Sequence, residues 1–433
     1  MPRYRPRHAE PQLREMAGFF KAVLVVGARQ VGKTTLLDQL FLGHRKLVFD
    51  PIQDLYAARA DPELFLDSFP PPLILDEIQY APEVLPALKR RLDRMEQPGQ
   101  YLLTGSQNLA VLRAVAESMA GRVGVLHLEG MSAAEMRDEG REQGWLAGYL
   151  DHPAELLDVV RQSGPAAGPL NLMLWRGSLP GLLEAPDSLV PVFYRSYVET
   201  YVQRDVRTME EIRDVASFDR FLGLAAALTA QEINASQLGR EIGIVPSTAR
   251  RWLNLLLHTY QWHELAPYHG NVVKRLSGKR KGYLADTGLA SYLQRISSPQ
   301  ALAVSPLLGA LFETWVMGEI RKQFVQLAVP PQAWHWRTGG GAEVDLVLER
   351  DGLLYPIEVK CKSSVDGRDA RGILAFRETY GEGRVMPGLV VFAGTSGYKL
   401  GPHALALPWN AVRASPPPLA AAGGTFASGL PRG

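Results

Sequence analysis

The chain has 433 residues, of which 46% are hydrophobic and 21% charged, so its length and composition suit about three globular domains with ordinary apolar cores. Its 47 Lys and Arg residues nearly balance its 45 Asp and Glu residues, which excludes nucleic-acid binding driven by overall charge and leaves only a local basic patch. The single cysteine, Cys361, excludes a disulfide framework and a cysteine-based zinc site, and it suits a reducing compartment.

The N-terminal segment MPRYRPRHAEPQLREM is charged and lacks the apolar core of a signal peptide. No apolar run approaches the roughly 18 residues that a membrane-spanning helix needs. We therefore expect a cytoplasmic protein with no membrane partner.

The apolar pattern changes character along the chain. Short apolar runs alternate with helical stretches over residues 22–130, which predicts a parallel sheet. Residues 190–296 have a mostly helical period, and residues 309–412 begin with a helix that is followed by short strands. From residue 415 onward the sequence has almost nothing to bury. The pattern predicts an α/β multidomain protein that ends in a disordered tail.

The segment VLVVGARQVGKTTLL contains the G-x-x-x-x-G-K-[ST] pattern of a phosphate-binding loop. Glycines let backbone N–H groups surround the β-phosphate, the lysine reaches the β- and γ-phosphates, and the hydroxyl of Thr34 binds Mg²⁺. An apolar strand precedes the pattern and a helical run follows it, as this chemistry requires. The segment therefore predicts an ATP and Mg²⁺ site. The predicted nucleotide-binding residues are Gly27, Ala28, Arg29, Gln30, Val31, Gly32, Lys33, Thr34, Thr35 and Ser106.

Two further predicted strands end in polar residues. The strand LILDE ends in Asp76, which we expect to hold Mg²⁺ through water, and in Glu77, which we expect to polarise the attacking water. The strand YLL is followed by TGSQN, where Ser106 is a candidate sensor of the γ-phosphate, although a plain turn also explains these residues. Arg122 is a candidate arginine finger for the nucleotide of a neighbouring subunit, the alternative being a salt-bridged surface arginine.

The segments GARQVGKTTLL, LILDEIQ, LLTGSQ and AGRV together resemble a prokaryotic family of P-loop ATPases within the AAA+ superfamily. The resemblance runs from about residue 15 to about residue 395. It implies ATP binding and hydrolysis, and it implies a homo-oligomer, with a hexameric ring as one arrangement. Members of this family carry a C-terminal domain of once-unknown function.

The middle of the chain resembles a DNA-binding helix-turn-helix. SQLGREIG is followed by VPSTARRWL, so that Gly243 would make the turn and Ser247 would cap a second helix that presents two arginines near its start. Downstream, VVKR and GKRKGY predict a basic β-hairpin, as in a winged helix. The alternative is that this domain only packs against its neighbours. The predicted DNA-binding residues are Arg250, Arg251, Lys274, Arg275, Lys279, Arg280 and Lys281.

The C-terminal segment carries two acids and a lysine whose spacing indicates a shared site. Asp345 lies in EVDLVLER, and Glu358 and Lys360 lie two apart in YPIEVK, hence on one strand face. A hairpin that turns near Asp351-Gly352 would bring both carboxylates to one metal ion, with the lysine beside them. The spacing resembles the PD-(D/E)xK nuclease core, which implies Mg²⁺, or alternatively Mn²⁺, and a further acid on the preceding helix, where Glu313 fits. The alternative is an ordinary surface pairing of acids with lysine.

These motifs predict a P-loop AAA+-like ATPase domain at residues 1–185, a helical winged-helix domain at 186–300, a restriction-endonuclease-like α/β domain at 301–412 and a tail at 413–433. They favour an ATPase that is coupled to DNA binding or processing, including metal-dependent cleavage and branched DNA as a substrate. The alternative is a regulatory ATP switch that keeps a nuclease-like scaffold without cutting.

Overall fold

The computed structural model describes residues 3–49, 56–105, 121–162, 168–201, 212, 214–271, 273, 275 and 278–413. Its helices are Glu10–Phe19, Lys33–Leu40, Tyr56–Ala60, Pro62–Ser68, Val84–Arg94, Ala133–Met136, Trp145–Asp151, Leu156–Val159, Leu170–Arg176, Val190–Thr200, Val215–Ala227, Ala235–Ile242, Pro246–His258, Thr287–Leu293, Pro299–Ala303, Leu308–Gln323 and Arg371–Tyr380. Its strands are β1 Ala22–Val26, β2 Arg45–Val48, β3 Leu73–Asp76, β4 Tyr101–Gly105, β5 Val123–His127, β6 Val160–Gln162, β7 Gln231–Ile233, β8 Trp262–Pro267, β9 Arg280–Leu284, β10 Gln332–Arg337, β11 Glu343–Arg350, β12 Leu353–Lys360, β13 Gly388–Phe392, β14 Tyr398–Gly401, β15 Ala404–Pro408 and β16 Ala411–Arg413.

The N-terminal strands form the predicted parallel sheet, which in the described part of the chain has the order β2-β3-β4-β1-β5. Strands β1, β3 and β4 are buried along their whole length, as expected for apolar strands of a parallel sheet. Val26 at the end of β1 pairs with Gly105 at the end of β4. The carboxyl ends of the central strands therefore meet at one edge, where the phosphate-loop segment and Asp76 emerge.

The predicted helix-turn-helix is present. Its first helix, Ala235–Ile242, ends at Gly243, whose φ of 77° lies in the left-handed region that glycine adopts readily. The second helix begins at Pro246 with Val245 before it and no side-chain cap. The predicted capping role of Ser247 is therefore wrong, because proline at the first helical position already fixes the backbone for the start of the helix.

Nine of the described strands form one mixed sheet with the order β14-β15-β13-β12-β11-β10-β8-β9-β7. Strands β7, β9 and β8 are antiparallel neighbours, and β10, β11 and β12 form an antiparallel meander. The two groups are joined where β8 runs parallel to β10, with Trp334 paired to Ala266 and His335 paired to Pro267. The predicted boundary at residues 300 and 301 therefore separates chain segments that share a sheet.

The C-terminal segment also contacts the N-terminal segment directly. Glu319 accepts a hydrogen bond from the backbone N–H of Ala133 at 2.9 Å, and the ammonium of Lys322 donates to the carbonyl of Met131 at 2.9 Å. Strand β16 pairs with β6, so two chain segments more than two hundred residues apart form a small two-stranded sheet. In the part of the chain that the structure describes, no helix is long and apolar enough to cross a membrane.

Candidate nucleotide site, basic cleft and carboxylate cluster

The phosphate loop closes around the ammonium of its own lysine. A Cβ atom at Gly27 would lie 2.1 Å from the carbonyl oxygen of Leu128, so only glycine fits there, and Gly32 leads into the following helix with a φ of 95°. Lys33 is the first residue of that helix and is 6% exposed. Its Nζ donates to the carbonyl oxygens of Gly27 at 3.1 Å and Ala28 at 2.9 Å. The helix N-terminus and this ammonium together create a site for an anion.

Beside the loop, a buried carboxylate meets two hydroxyl groups. Thr34 Oγ1 donates a hydrogen bond to Asp76 Oδ1 at 2.8 Å, and Thr104 Oγ1 donates a hydrogen bond to the same oxygen at 2.5 Å. This meeting follows from the sheet order, because β3 and β4 are neighbours and Leu75 pairs with Leu103. Magnesium prefers hard oxygen ligands such as these hydroxyl and carboxylate groups. The residues at this edge of the sheet therefore fit the predicted Mg²⁺.

Glu77 is held out of the regular strand direction. Its φ of 57° lies in the left-handed region, which is unfavourable for a residue with a side chain and is often found at functional sites. Its backbone N–H donates to Thr104 Oγ1 at 2.9 Å, and the side-chain amide of Gln79 donates to its carboxylate. Thr104 thus connects Asp76 to Glu77. The sequence indicated the TGSQN segment but selected Ser106, which lies outside the described residues.

Two residues that the sequence analysis missed hold the phosphate loop in place. Arg7 is 4% exposed, and its guanidinium donates to the carbonyls of Val31 at 2.8 Å and Glu129 at 2.8 Å. Its Nε lies 3.2 Å from the Glu135 carboxylate, a buried ion pair. Pro180 approaches the loop from another side, since its ring lies 3.6 Å from the position of a Cβ on Gly32. No local pattern signals either contact, because the partners are far apart in sequence.

The other residues predicted to bind nucleotide differ in exposure. Ala28 and Val31 are buried, Arg29 is half-buried, and Gln30 and Thr35 are exposed. These exposures differ because the loop leaves a buried strand and then enters a helix.

Arg122 lies at the opposite edge of the parallel sheet from the phosphate loop. It precedes β5, whose first residue, Val123, pairs with Ala22 at the amino end of β1. Its guanidinium forms an ion pair with Asp93, and both side chains are about two-fifths exposed. It is therefore placed away from the nucleotide site of its own chain, and its contact with the nucleotide of a neighbouring subunit stays a prediction.

Three of the predicted DNA-binding residues line a common cleft of about 360 Å³ between the second helix of the helix-turn-helix and β9. We call Arg250, Lys279 and Arg280 the basic cleft; all three are exposed. Arg280 lies 3.6 Å from the carboxylate of Glu264, which also lines the cleft. Arg251 is exposed on the same helix.

The remaining predicted wing residues are placed differently from the prediction. Strand β9 pairs with β8 and β7 and not with VVKR, so the predicted hairpin is wrong. Arg275 is half-buried, lies 3.1 Å from the Glu349 carboxylate, and has its guanidinium 4.3 Å from the ring centre of Tyr268. Its ion pair and cation–π contact hold it against the C-terminal sheet. Lys274 lies outside the described residues.

The predicted hairpin of the C-terminal segment is confirmed, with Asp351-Gly352 in the turn between β11 and β12. Asp345 and Glu358 are 6% and 2% exposed, and the two acids interact with each other. The backbone N–H of Val359 donates to Asp345 Oδ2 at 2.9 Å, and Lys360 Nζ donates to Glu358 Oε2 at 3.0 Å. The two acids and the lysine therefore converge as the spacing predicted.

A second lysine joins these acids. Lys281 was predicted to contact DNA, but its side chain is only 12% exposed and its Nζ lies 2.5 Å from Glu313 Oε1 and 3.0 Å from Asp345 Oδ1. The hydroxyl of Tyr283 donates to the same Glu313 oxygen at 2.7 Å. The DNA-binding assignment of Lys281 is therefore corrected, because alternation along β9 turns this side chain inward. We call Lys281, Glu313, Asp345, Glu358 and Lys360 the carboxylate cluster.

Burial and charge set the protonation of this cluster. Burial first, and then the charge of Asp345, raises the pKa of Glu358 well above its ordinary value and that of Glu313 to about 7. Burial also acts to raise the pKa of Asp345, but the ammonium groups of Lys281 and Lys360 outweigh it and hold that pKa below its ordinary value. The pKa values of the neighbouring acids Glu358 and Asp345 are therefore shifted in opposite directions.

The carboxylate cluster as arranged does not fit the implied divalent metal. Asp345 Oδ1 accepts a hydrogen bond from the ammonium of Lys281, so a positive charge already lies where a metal ion would bind. Within the described ranges, no group of three His, Cys, Asp or Glu side chains is placed to hold a metal ion. The predicted metal roles of Asp345 and Glu358, and the predicted catalytic roles of Glu313 and Lys360, therefore stay predictions.

Three family models match successive parts of the chain. Residues 19–137 match a model described as "AAA domain". Residues 169–300 and 308–412 match models described as "Domain of unknown function (DUF8612)" and "Domain of unknown function (DUF4143)". The part of the chain that carries the phosphate loop therefore matches an AAA-type domain. The winged-helix and nuclease-like identities of the following parts stay predictions.

The chain is similar to two mycobacterial proteins and to a solved archaeal structure. The uncharacterized proteins Rv2008c of Mycobacterium tuberculosis and Mb2031c of Mycobacterium bovis are each 29% identical over 359 residues, which are 83% of this chain and 74% of theirs. The Walker-type ATPase PABY2304 of Pyrococcus abyssi is 15% identical with a TM-score of 0.41, over 68% of this chain and 99% of that one.

Proposed function

We propose that this chain hydrolyses ATP at the phosphate loop and that this turnover is coupled to DNA held in the basic cleft. The observation that carries the first part is the hydrogen-bonded path from Thr34 through Asp76 and Thr104 to Glu77. It connects the group that would bind Mg²⁺ to the group that would act on the attacking water. Thr34 and Asp76 would hold Mg²⁺, which would supply positive charge against the negative charge that develops during phosphoryl transfer.

Separate residues have separate roles in this ATP hydrolysis. Lys33 places an ammonium beside the phosphates, and the loop backbone donates hydrogen bonds to them. Thr34 would supply an oxygen ligand to the metal ion and Asp76 would hold the ion through water, and Thr104 fixes the orientation of Asp76 through its 2.5 Å hydrogen bond. Glu77, oriented by Gln79, accepts a hydrogen bond from the attacking water and aligns it with the γ-phosphate.

The DNA part of the proposal is supported by the basic cleft. Arg250 projects from the second helix of a helix-turn-helix, and Lys279 and Arg280 lie across the cleft from it. A helix and a basic strand on one groove offer two contacts to adjacent phosphates of a duplex. The net charge of +2 means that this attraction is local to the cleft.

The test measures DNA affinity and ATP turnover together. Labelled duplex, forked and four-way DNA are titrated at two salt concentrations, with the unmodified chain and the double variant Lys279→Glu/Arg280→Glu. We expect DNA to stimulate turnover, and the double variant to bind about tenfold or more weakly with a flatter salt dependence. The matched control is Arg371→Glu/Lys399→Glu, which changes exposed cations elsewhere by the same charge.

The outcomes separate the two functions that the sequence left open. Turnover that depends on Lys33 but ignores DNA, together with equal affinity in both double variants, would favour the regulatory ATP switch. Metal-dependent DNA cleavage stays a prediction; the convergence of Asp345, Glu358 and Lys360 supports it, and the ammonium of Lys281 among them argues against it in this arrangement. The homo-oligomer and its hexameric form also stay predictions.

A further inference from the structure

The ammonium of Lys281 lies where a cation would bind the carboxylate cluster. It contacts an acid on the helix Leu308–Gln323 and an acid on β11, at 2.5 Å from Glu313 and 3.0 Å from Asp345. These two acids come from separate elements, and the lysine comes from a third. One side chain therefore bridges the strand next to the basic cleft and the two parts of the predicted nuclease-like site.

Positive charge already faces these acids. The carboxyl groups of Glu313 and Asp345 lie 2.5 Å and 3.0 Å from the ammonium of Lys281, and Glu358 lies 3.0 Å from the ammonium of Lys360. Because buried acids that are paired with cations are already compensated, a divalent ion gains less there than at an unpaired buried acid.

The Lys281 ammonium also occupies the space beside Asp345 that a metal ion would need. Magnesium binds oxygen at about 2.0–2.1 Å, so a metal ion on the Asp345 oxygen that accepts from Lys281 would lie close to a second positive charge and be repelled by it. The backbone of Lys281 is fixed on both sides, since it pairs with Leu265 of β8 and with Glu232 of β7. Removing the ammonium therefore requires either a new side-chain rotamer or a displacement of β9.

We propose that Lys281 is an internal counter-ion that keeps the carboxylate cluster closed to divalent metal, so that metal binds at Asp345 only when this ammonium leaves. The proposal goes beyond the proposed function, and it holds whether or not the chain binds DNA or hydrolyses ATP. It gives Lys281, the last of the three consecutive cations at 279–281, a role inside the protein and not at a DNA surface.

The test measures Mn²⁺ binding by electron paramagnetic resonance on the full chain without nucleotide. All variants carry Asp76→Asn, which removes the other candidate metal site. Lys281→Met should gain one Mn²⁺ site with an affinity about tenfold or more above that of the parent. Adding Asp345→Asn should abolish this gain, and Lys399→Met, the loss of an exposed cation outside the cluster and the basic cleft, should leave binding unchanged.

Two results would overturn the proposal. One is a parent chain that already binds Mn²⁺ through Asp345 as tightly as the Lys281→Met variant. The other is a folded Lys281→Met variant, with normal circular dichroism and thermal unfolding, that gains no Mn²⁺ site.

If Lys281→Met fails to fold, amine acylation of the unmodified chain decides the question. Lys281 should be acylated about tenfold or more slowly than Lys279, with or without millimolar Mn²⁺, because its amine is covered and ion-paired. Equal acylation of the two lysines without Mn²⁺, or binding of Mn²⁺ at Asp345 while Lys281 stays protected, would contradict its role as a resident counter-ion.

Discussion

The nucleotide site and the carboxylate cluster are built from similar residues but differ in what faces the buried acid. Asp76 receives hydrogen bonds from the neutral hydroxyls of Thr34 and Thr104, so its negative charge is available to a cation. Asp345 faces the ammonium of Lys281, and its charge is already compensated. Two acids of similar burial can therefore have different roles, and the neighbouring charge decides between them.

The largest effect should come from the lysine of the phosphate loop. Lys33→Ala should lower ATP turnover by about a thousandfold, because a charge placed at the transferring phosphate is lost. Steady-state phosphate release measures this change. Lys46→Ala, an exposed lysine paired with Asp38, is the matched control and should retain turnover. Unchanged turnover in Lys33→Ala would contradict the assignment of the loop.

Substituting the acid beside Asp76 should separate binding from hydrolysis. Glu77→Gln should retain ATP affinity and lower turnover by about a hundredfold, because the amide is a poor acceptor for the attacking water. Equilibrium binding of a fluorescent ATP analogue and phosphate release would be measured on the same sample. A parallel loss of affinity would instead indicate that Glu77 supports the fold of the loop.

Arg7, which contacts the phosphate loop, should contribute mainly to the stability of the folded chain. Arg7→Ala leaves the buried carboxylate of Glu135 without its ion-pair partner, and such losses cost about 3–5 kcal/mol of unfolding free energy. Chemical denaturation measures this cost. Arg3→Ala, an exposed arginine that pairs with Asp138, is the control and should change the free energy of unfolding by about 1 kcal/mol or less. Equal effects would show that Arg7 is not held as described.

The carboxylate cluster should give the chain a distinctive pH dependence. Burial raises the pKa of Glu313 from 4.5 to about 7, so between these values the folded chain binds a proton that the unfolded chain has lost. The contribution of Glu313 to unfolding free energy should therefore fall as pH rises through this window, by at most about 3 kcal/mol. This fall should be absent from Glu313→Gln in denaturation curves at several pH values. Glu382→Gln, an exposed acid, should retain the fall, and a fall that persists in Glu313→Gln would contradict the assignment.

The sequence predicted the parts of both sites that depend on local spacing. The phosphate loop, the acids that end β3 and the hairpin carrying Asp345 and Glu358 each lie within a short stretch whose period or motif is visible. Thr104 was indicated only as part of TGSQN, and Arg7 was missed, because their contacts depend on strand order and on the path of the N-terminal segment, which no local pattern encodes.

Lys281 was misplaced for a different reason. The run GKRKGY predicts part of a basic β-hairpin whose cations all contact DNA, whereas alternation along a strand turns every second residue to the same face. Because Tyr283 lies two residues after Lys281 and is buried, the pattern contained a signal that Lys281 points inward. A charge run within a strand is therefore better divided into its two faces before a function is assigned.

The sheet that passes from β8 to β10 has a practical consequence for dividing this chain. A polypeptide that starts at residue 301 would lose β8, and β10 would then present unpaired backbone N–H and C=O groups along an open edge. Such edges pair readily with other chains and lead to aggregation. It would also lack Lys281, leaving Glu313 and Asp345 buried without their shared ammonium. The smallest stable fragment that contains the C-terminal strands should therefore also include the helix-turn-helix and its three strands.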